Sequence, residues 1–187
     1  MNAVMWMILG ALICALAVWL KHRFTDFSAQ SPGDYAGTAP PLDLRQHLSG
    51  RILCHGVIYG PMGRVASRFD AEFLGTWKGD SGTLAENFLY DSGNTQDREW
   101  RLTLGPGGTL TGEADDLVGA ARGTLSGASL MLRYRIRLPA EAGGHVLSVT
   151  DWMYLAPGGT IVNRSQFRKY GIKVAELVAT MKRMDAA

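Results

Sequence analysis

The stretch ASLMLRYRIRL, residues 128–138, decides the fold class. Apolar or aromatic side chains occupy every second position from Leu130 to Leu138, and the positions between them carry Met131 and three arginines. Such alternation suits a strand that is buried on one face, because successive side chains of a strand point to opposite faces. A helix would spread the same side chains around its whole circumference. Residues 128–138 therefore predict a β-strand.

Similar alternation continues on both sides of this strand. Gly, Pro, Asn and Asp separate the runs, and most connections are short enough for hairpins. A meander of eight or nine antiparallel strands packs as a sandwich or closes on itself, and closure removes the unpaired edges. We therefore predict a mainly β fold, an antiparallel meander closed as a lipocalin-like (calycin-type) barrel. The other predicted strands are 52–59, 65–77, 83–90, 96–104, 109–114, 120–125, 145–155 and 160–164.

The end of the chain changes period again. Between residues 171 and 184, apolar side chains recur at i, i+3, i+4 and i+7, which is the stripe of an amphipathic helix. They are Val174, Leu177, Val178 and Met181. We predict a short C-terminal amphipathic helix that packs on the barrel, or alternatively docks on a membrane or a partner protein.

The beginning of the chain has the composition of a membrane anchor. Residues 1–20 contain no ionisable side chain, and twenty helical residues span about 30 Å, the thickness of a bilayer core. A signal peptide would carry basic residues before the apolar run and small residues at its end, whereas residues 18–20 are Val-Trp-Leu. We predict a transmembrane anchor over residues 1–23, with a cleaved signal peptide as the alternative.

The remaining chain divides into a linker and one domain. Residues 24–47 are rich in Ser, Pro, Gly and Ala and show no sustained apolar period, which is typical of a linker. Residues 48–187 would then form the β-barrel domain, ending in the predicted helix at about 171–184.

Composition excludes several classes of function. A net charge of +2 and the absence of any basic run longer than Lys21-His22-Arg23 argue against nucleic acid as a partner. The 47% of hydrophobic residues argue against a disordered chain. The four histidines have no metal-ligand spacing, and no common catalytic or phosphate-binding motif occurs. We predict a protein that is not an enzyme and that has neither metal nor cofactor.

One predicted hairpin carries the main candidate site. Pairing Tyr90 with Gln96 would place Phe88 opposite Arg98 and Glu86 opposite Trp100, all on one otherwise apolar face. Burying a charge on such a face costs free energy, so we expect it to pair with another group of the protein or to serve a function. Three readings stay open: an ion pair between Glu86 and Arg98, a polar fixture that orients a ligand in a cavity, and acid–base catalysis by Glu86. The candidate ligand-binding residues are Glu86, Phe88, Tyr90, Arg98 and Trp100.

A second group lies near the end of the meander. The strand over residues 145–155 is apolar on both faces, and it carries Asp151 beside Trp152, followed later by Asn163 and Arg164. We take these four as possible polar or contact residues, with Asp151 paired to a nearby basic side chain.

The chain resembles a proteobacterial family known as domain of unknown function 3833, whose members are often described as lipoproteins. The resemblance covers roughly residues 50–180 and implies membrane association and a compact β-rich domain without an assigned activity. It rests on the order of these stretches: Gly63-Arg64-Val65, Arg68-Phe69, Gly75-Thr76-Trp77, Glu86 to Tyr90, Arg98-Glu99-Trp100, Ala114 to Gly119, Asp151-Trp152-Met153, Asn163-Arg164 and Lys169-Tyr170-Gly171.

Two functions fit these patterns. The first is a membrane-anchored lipocalin-like module that binds a small apolar or lipid-like ligand. The second is a non-catalytic accessory or assembly subunit of an inner-membrane protein complex. Either would be a single-pass protein of the bacterial inner membrane. Lys21 and Arg23 after the span favour a cytoplasmic domain, whereas the family resemblance implies the periplasm.

Overall fold

A computed structural model describes residues 2–25 and 27–184. In this part of the chain, ten antiparallel strands form a closed up-and-down barrel in which each strand pairs with the next and β1 pairs with β10. The strands are β1 Gly50–Tyr59, β2 Val65–Lys78, β3 Ser81–Tyr90, β4 Thr95–Leu104, β5 Thr109–Glu113, β6 Ala121–Ser126, β7 Ser129–Arg137, β8 Val146–Leu155, β9 Ile161–Lys169 and β10 Ile172–Arg183.

Helices occur mainly before the barrel. They are α1 Ala3–Phe24 and the single turn α2 Leu44–His47, with short 3₁₀ turns at Phe27–Ala29, Pro32–Tyr35, Pro106–Gly108 and Ala140–Ala142. The predicted mainly β fold with an N-terminal apolar helix and a closed antiparallel barrel is thus confirmed, with ten strands where eight or nine were expected.

The predicted C-terminal helix is wrong, because residues 172–183 form β10, the strand that closes the barrel. Leu177, Ala179 and Met181 point inward at a period of two and line the interior. Val178 lies on the opposite face, beside Val57 of β1. Because both faces of β10 carry apolar side chains, these residues also fit a helical period. Only as a strand can this segment hydrogen-bond to β9 on one side and to β1 on the other.

The segment predicted as a linker packs against the barrel from Phe27 onward. Its helix α2 places Leu44 and Leu48 in one end of the barrel, where both are buried. The side chain of Asp43 caps α2 by accepting a hydrogen bond from the Arg45 N–H at 3.0 Å. At Gly75 of β2 a Cβ atom would lie 1.9 Å from the Leu48 carbonyl oxygen, so only glycine lets α2 approach this closely.

The same segment also covers part of the outer wall. Phe27 packs against Trp152 of β8, which is fully buried although it points away from the interior. Tyr35 meets the Trp152 ring edge-on at 5.2 Å, and Arg164 of β9 lies 5.0 Å from the centre of the Phe27 ring. The hydroxyl groups of Tyr35 and Tyr154 both donate to Oε1 of Gln30. These contacts hold the chain against β8 and β9.

Helix α1 is largely apolar, and its residues Ala3–Lys21 are exposed. Ala3–Lys21 is long enough and apolar enough to cross a bilayer, a property that signal sequences near an N-terminus share. No other helix in the described part of the chain meets both conditions.

Candidate ligand-binding site

The barrel contains a cavity of about 720 Å³. Volumes of roughly 300–1,000 Å³ are usual for small-molecule sites in proteins. Every second side chain of each strand points inward. Most of these inward side chains are apolar or aromatic. Typical wall residues are Phe73, Leu84, Leu102, Leu110, Leu130 and Leu132.

The two ends of the cavity differ. Leu44 and Leu48 of the α2 region line it where the N-terminal segment closes the barrel. At the opposite end its lining includes Arg137, Pro139 and Ala140, which are exposed to solvent. The cavity is therefore reached from the end that carries the β7–β8 connection.

Arg98 of β4 is the positive centre of the cavity. Its Nη2 donates a hydrogen bond of 3.1 Å to Oδ1 of Asp116, and its Nε lies 2.8 Å from Oδ2 of the same carboxylate in a contact too poorly aligned for a hydrogen bond. The guanidinium also stacks on Trp100, with 4.3 Å between its carbon and the ring centre. Arg98 is thus held by one carboxylate and one aromatic face.

Asp116 reaches Arg98 because the loop between β5 and β6 folds back on β7. The Val118 N–H donates to the Arg135 carbonyl and the Arg137 N–H donates to the Asp116 carbonyl, each at 2.8 Å. Leu117 forms a β-bridge with Ile136. The neighbouring Asp115 is exposed at the edge of the cavity, where it pairs with Arg101 at 3.1 Å.

Glu86 of β3 lies directly opposite Arg98. Its Oε2 is 3.7 Å from Nη1 of Arg98, which is an ion-pair distance but too long for a hydrogen bond. This oxygen is buried and has no hydrogen-bond partner among the described residues. Burial raises the pKa of Glu86 to about 7, although Arg98 acts in the opposite direction.

A second buried carboxylate faces the same space from β8. Asp151 accepts hydrogen bonds at Oδ1 from Asn163 Nδ2 and from Ser165 Oγ, the latter at 2.8 Å. Burial raises the pKa of Asp151, and these two hydrogen bonds counteract part of that effect. Tyr134 of β7 completes the polar set and meets the Trp100 ring edge-on at 5.3 Å.

Aromatic rings form the wall next to this polar set. Phe88 packs edge-on against Phe69 at 5.3 Å and Phe73 at 5.5 Å, and it stacks on Tyr90 at 6.1 Å. The Tyr90 hydroxyl donates a 2.8 Å hydrogen bond to Oε1 of Gln96. A ligand in the cavity would therefore meet flat apolar surfaces on the β2–β3 side.

The predicted register of the β3–β4 hairpin is wrong by two residues. Gln96 lies opposite Phe88, not opposite Tyr90. The cause is a three-residue loop over 91–93, closed by a hydrogen bond from the Tyr90 N–H to the Asn94 carbonyl. Gly93 adopts the positive φ of 84° that such loops require. A shift of two residues keeps every side chain on its face, so the five candidate residues still point inward.

The structure divides the nine predicted site residues into two groups. Seven lie inside and line the cavity: Glu86, Phe88, Tyr90, Arg98, Trp100, Asp151 and Asn163. The other two, Trp152 and Arg164, lie on the outer wall, where they contact the N-terminal segment. Asp151 was expected to pair with a basic side chain, but its hydrogen bonds come from Asn163 and Ser165.

Sequence reasoning missed several cavity residues. Asp116 and Tyr134 line the cavity but are not among the predicted site residues. Cys54 of β1 was not assigned, and burial raises the pKa of its thiol to about 12, so it is not a thiolate at neutral pH. In the described residues, no group of three or more His, Cys, Asp or Glu side chains is placed to hold a metal ion.

The raised pKa of Glu86 predicts a characteristic pH dependence of stability. Since the folded pKa of about 7 exceeds the ordinary value of 4.5, the contribution of protonated Glu86 is fully present below about pH 4.5 and is lost as the pH rises to about 7. Between pH 4.5 and 7.5, the unchanged protein should lose up to about 3 kcal/mol of unfolding free energy through this group. Glu86→Gln has no carboxyl group at this position and should not show this loss. Urea unfolding at the two pH values measures this difference.

The matched control is Glu72→Gln, which neutralises an exposed carboxylate on the outer face of the neighbouring strand. Unlike Glu86→Gln, it should keep the pH dependence of the unchanged protein. Equal pH dependence in the unchanged protein and in Glu86→Gln would contradict the environment described for Glu86.

Two solved structures resemble the barrel. An S-type phycobiliprotein lyase, CPES, from Guillardia theta aligns with a TM-score of 0.56 and 6% identity over 77% of this chain and 92% of its own. Rv2717c from M. tuberculosis aligns with a TM-score of 0.54 and 17% identity over 79% of this chain and 99% of its own. At such identities these likenesses concern the fold alone, which is that of lipocalin-like calycin barrels.

Sequence comparison gives the family. No curated protein shows a significant match to this chain. The model of the family described as protein of unknown function (DUF3833) matches residues 22–183, which include the whole barrel and the segment that closes its end. The resemblance seen in the sequence is therefore confirmed, and the chain belongs to this family.

Proposed function

We propose that this protein is a membrane-anchored barrel that binds one small apolar or lipid-like molecule in its interior. The observation that carries the proposal is the cavity of about 720 Å³ with an apolar wall and a small buried polar set. This combination is typical of small-molecule sites, in which apolar surface supplies most of the affinity and a few polar groups fix the orientation.

The polar set supports binding in a defined orientation. Glu86 and Asp151 are buried carboxylates, and burial of such groups costs free energy unless they are paired or used. Arg98 partly pairs with Glu86, whose Oε2 lacks a hydrogen bond among the described residues. A ligand with one polar end would satisfy this oxygen while its apolar part fills the remaining space.

The alternative function, an accessory subunit of an inner-membrane complex, needs no cavity and would suit a barrel filled by its own side chains. Barrels of this size either pack their interior or hold one ligand. The cavity favours the second possibility. We therefore place ligand binding first.

We propose a binding role without catalysis. One structural neighbour is a lyase, but 6% identity gives no basis for assigning its activity to this chain. Cys54 is the thiol that lines the cavity, and its raised pKa disfavours the reactive thiolate. Binding, release and presentation of a ligand at a membrane would need only the cavity and the anchor.

Filling the cavity tests the binding proposal. Leu132→Trp adds volume where a ligand would sit, so saturable binding of the neutral fluorophore N-phenyl-1-naphthylamine should fall at least tenfold. The control is Arg133→Trp, which adds the same side chain on the outer face at the next position and should bind like the unchanged protein. Fluorescence titration of the full chain in lipid nanodiscs measures the affinity, with empty nanodiscs as the blank.

Circular dichroism of each variant reports folding separately. Loss of binding in folded Leu132→Trp but not in Arg133→Trp supports the proposal. Absence of saturable binding to the unchanged protein would contradict it, as would equal binding by the two variants.

The anchor is tested by fractionation. We expect the intact chain to stay in the membrane pellet after an alkaline carbonate wash, because Ala3–Lys21 is apolar over a length that spans a bilayer. Leu9→Lys combined with Leu12→Lys should release much of the protein, since each charge at the centre of a span costs about 2.5–3.5 kcal/mol. Leu9→Ile with Leu12→Ile is the matched control. A mature N-terminus beyond residue 20 would contradict the anchor.

A further inference from the structure

We propose that the ligand of this cavity carries a cationic amine at its polar end. This inference rests on the proposed binding function and adds the charge of the ligand to it. It follows from how the buried charges of the cavity are balanced, from how Arg98 is already engaged, and from the unpartnered oxygen of Glu86.

The buried interior holds more negative than positive groups. Three carboxyl side chains inside the barrel, those of Glu86, Asp116 and Asp151, line the cavity around the guanidinium of Arg98. Asp115 also borders the cavity, but it is exposed and pairs with Arg101. Arg137 also lines the cavity, but it is exposed at the open end. Deep in the barrel, one further positive charge would bring the net charge of these groups closer to zero.

Arg98 is poorly placed to bind an anion. Its Nη2 and Nε face the carboxylate of Asp116, its Nη1 faces Glu86, and Trp100 covers one side of the guanidinium plane at 4.3 Å. A carboxylate or phosphate on the ligand would have to displace Asp116 and would then lie beside the carboxyl group of Glu86. Repulsion between the negative ligand and a charged Glu86 would weaken binding, so the cavity selects against anionic ligands.

Glu86 offers what an amine requires. Its Oε2 is buried, borders the cavity and accepts no hydrogen bond from the described residues. Across the cavity, both hydrogen bonds to Asp151 from Asn163 and Ser165 go to Oδ1. An ammonium group has three donors and a charge, and charge-assisted hydrogen bonds of this kind are about twice as strong as neutral ones.

The titratable groups around Glu86, on its own strand and on the other elements, do not change this balance. They are Cys54 of β1, Tyr90 of β3, Arg98 of β4, Asp116 of the β5–β6 loop, Tyr134 of β7 and Asp151 of β8. Arg98 is the one base in this set. Without a ligand, burial keeps Glu86 partly protonated near neutral pH. A bound ammonium would favour its carboxylate form, so binding would release a proton.

Three probes with the same apolar chain separate the possibilities: octylamine, 1-octanol and octanoate. Isothermal titration calorimetry of the full chain in phosphatidylcholine nanodiscs measures their affinities at pH 7.5, with empty nanodiscs as the blank. We expect octylamine to bind at least tenfold more tightly than 1-octanol, and octanoate to bind more weakly than both. Between pH 6 and 8, the affinity for octylamine should rise while that for 1-octanol stays nearly constant.

Glu86→Gln keeps the shape of the side chain but removes its charge. It should reduce the preference for octylamine over 1-octanol at least tenfold and abolish the pH dependence of octylamine binding. The matched control Glu72→Gln removes an exposed carboxylate that does not line the cavity, and it should leave all three affinities unchanged.

The outcomes distinguish this inference from the proposed function. Binding of all three probes with similar affinity, or tightest binding of octanoate, would overturn the amine and leave ligand binding intact. An amine preference that persists in Glu86→Gln would also overturn it. If none of the probes binds the folded protein, both the amine and the proposed function fail.

Discussion

The pairing of β1 with β10 is the constraint on which the rest of this structure depends. Eight residue pairs, from Ile52 with Arg183 to Tyr59 with Glu176, join the first and last strands and close the sheet. Closure leaves the barrel without a free edge and gives it an inside. The diameter of a barrel grows with the number of its strands, and inside these ten strands a cavity of about 720 Å³ remains. The N-terminal segment then closes one end with Leu44 and Leu48.

The polar set inside the barrel follows from the same closure. Glu86 and Arg98 come from β3 and β4, Tyr134 from β7 and Asp151 from β8, so strands that are distant in sequence supply one group. Isolated buried charges would be costly, but here each has a partner: Arg98 has Asp116 and Glu86, and Asp151 has Asn163 and Ser165. Two atoms lack a hydrogen bond among the described residues, Oε2 of Glu86 and Nε of Arg98, and a ligand with a donor at its polar end would satisfy the Glu86 oxygen.

Much of this architecture was readable from the sequence. The alternation over residues 128–138 predicted β7 correctly, because a strand places the neighbouring side chains of Leu132 and Arg133 on opposite faces, one buried and one exposed. Alternation in the β3–β4 hairpin also placed Glu86 and Arg98 on the inner face. The error of two residues in the predicted register did not change which face each side chain lies on. The helical interpretation of β10 failed because Val178 is apolar on the outer face, and alternation is lost when both faces are apolar.

The remaining differences have one physical origin, which is contact between parts of the chain that local patterns do not connect. Asp116 enters the cavity because its loop hydrogen-bonds to β7, and nothing in the local sequence specifies that pairing. Trp152 is buried on the outer wall because the segment around Phe27 covers it. The composition of that segment is typical of a linker, and it packs because the apolar wall beneath it must be shielded from water.

The central claim is that the barrel interior holds one ligand, and native mass spectrometry of the protein purified in mild detergent from its own source tests it most directly. The account predicts one small molecule per chain on the unchanged protein and on Arg133→Trp, and none on Leu132→Trp. If the unchanged protein and Leu132→Trp give the same result, with a bound molecule on both or on neither, the claim is contradicted.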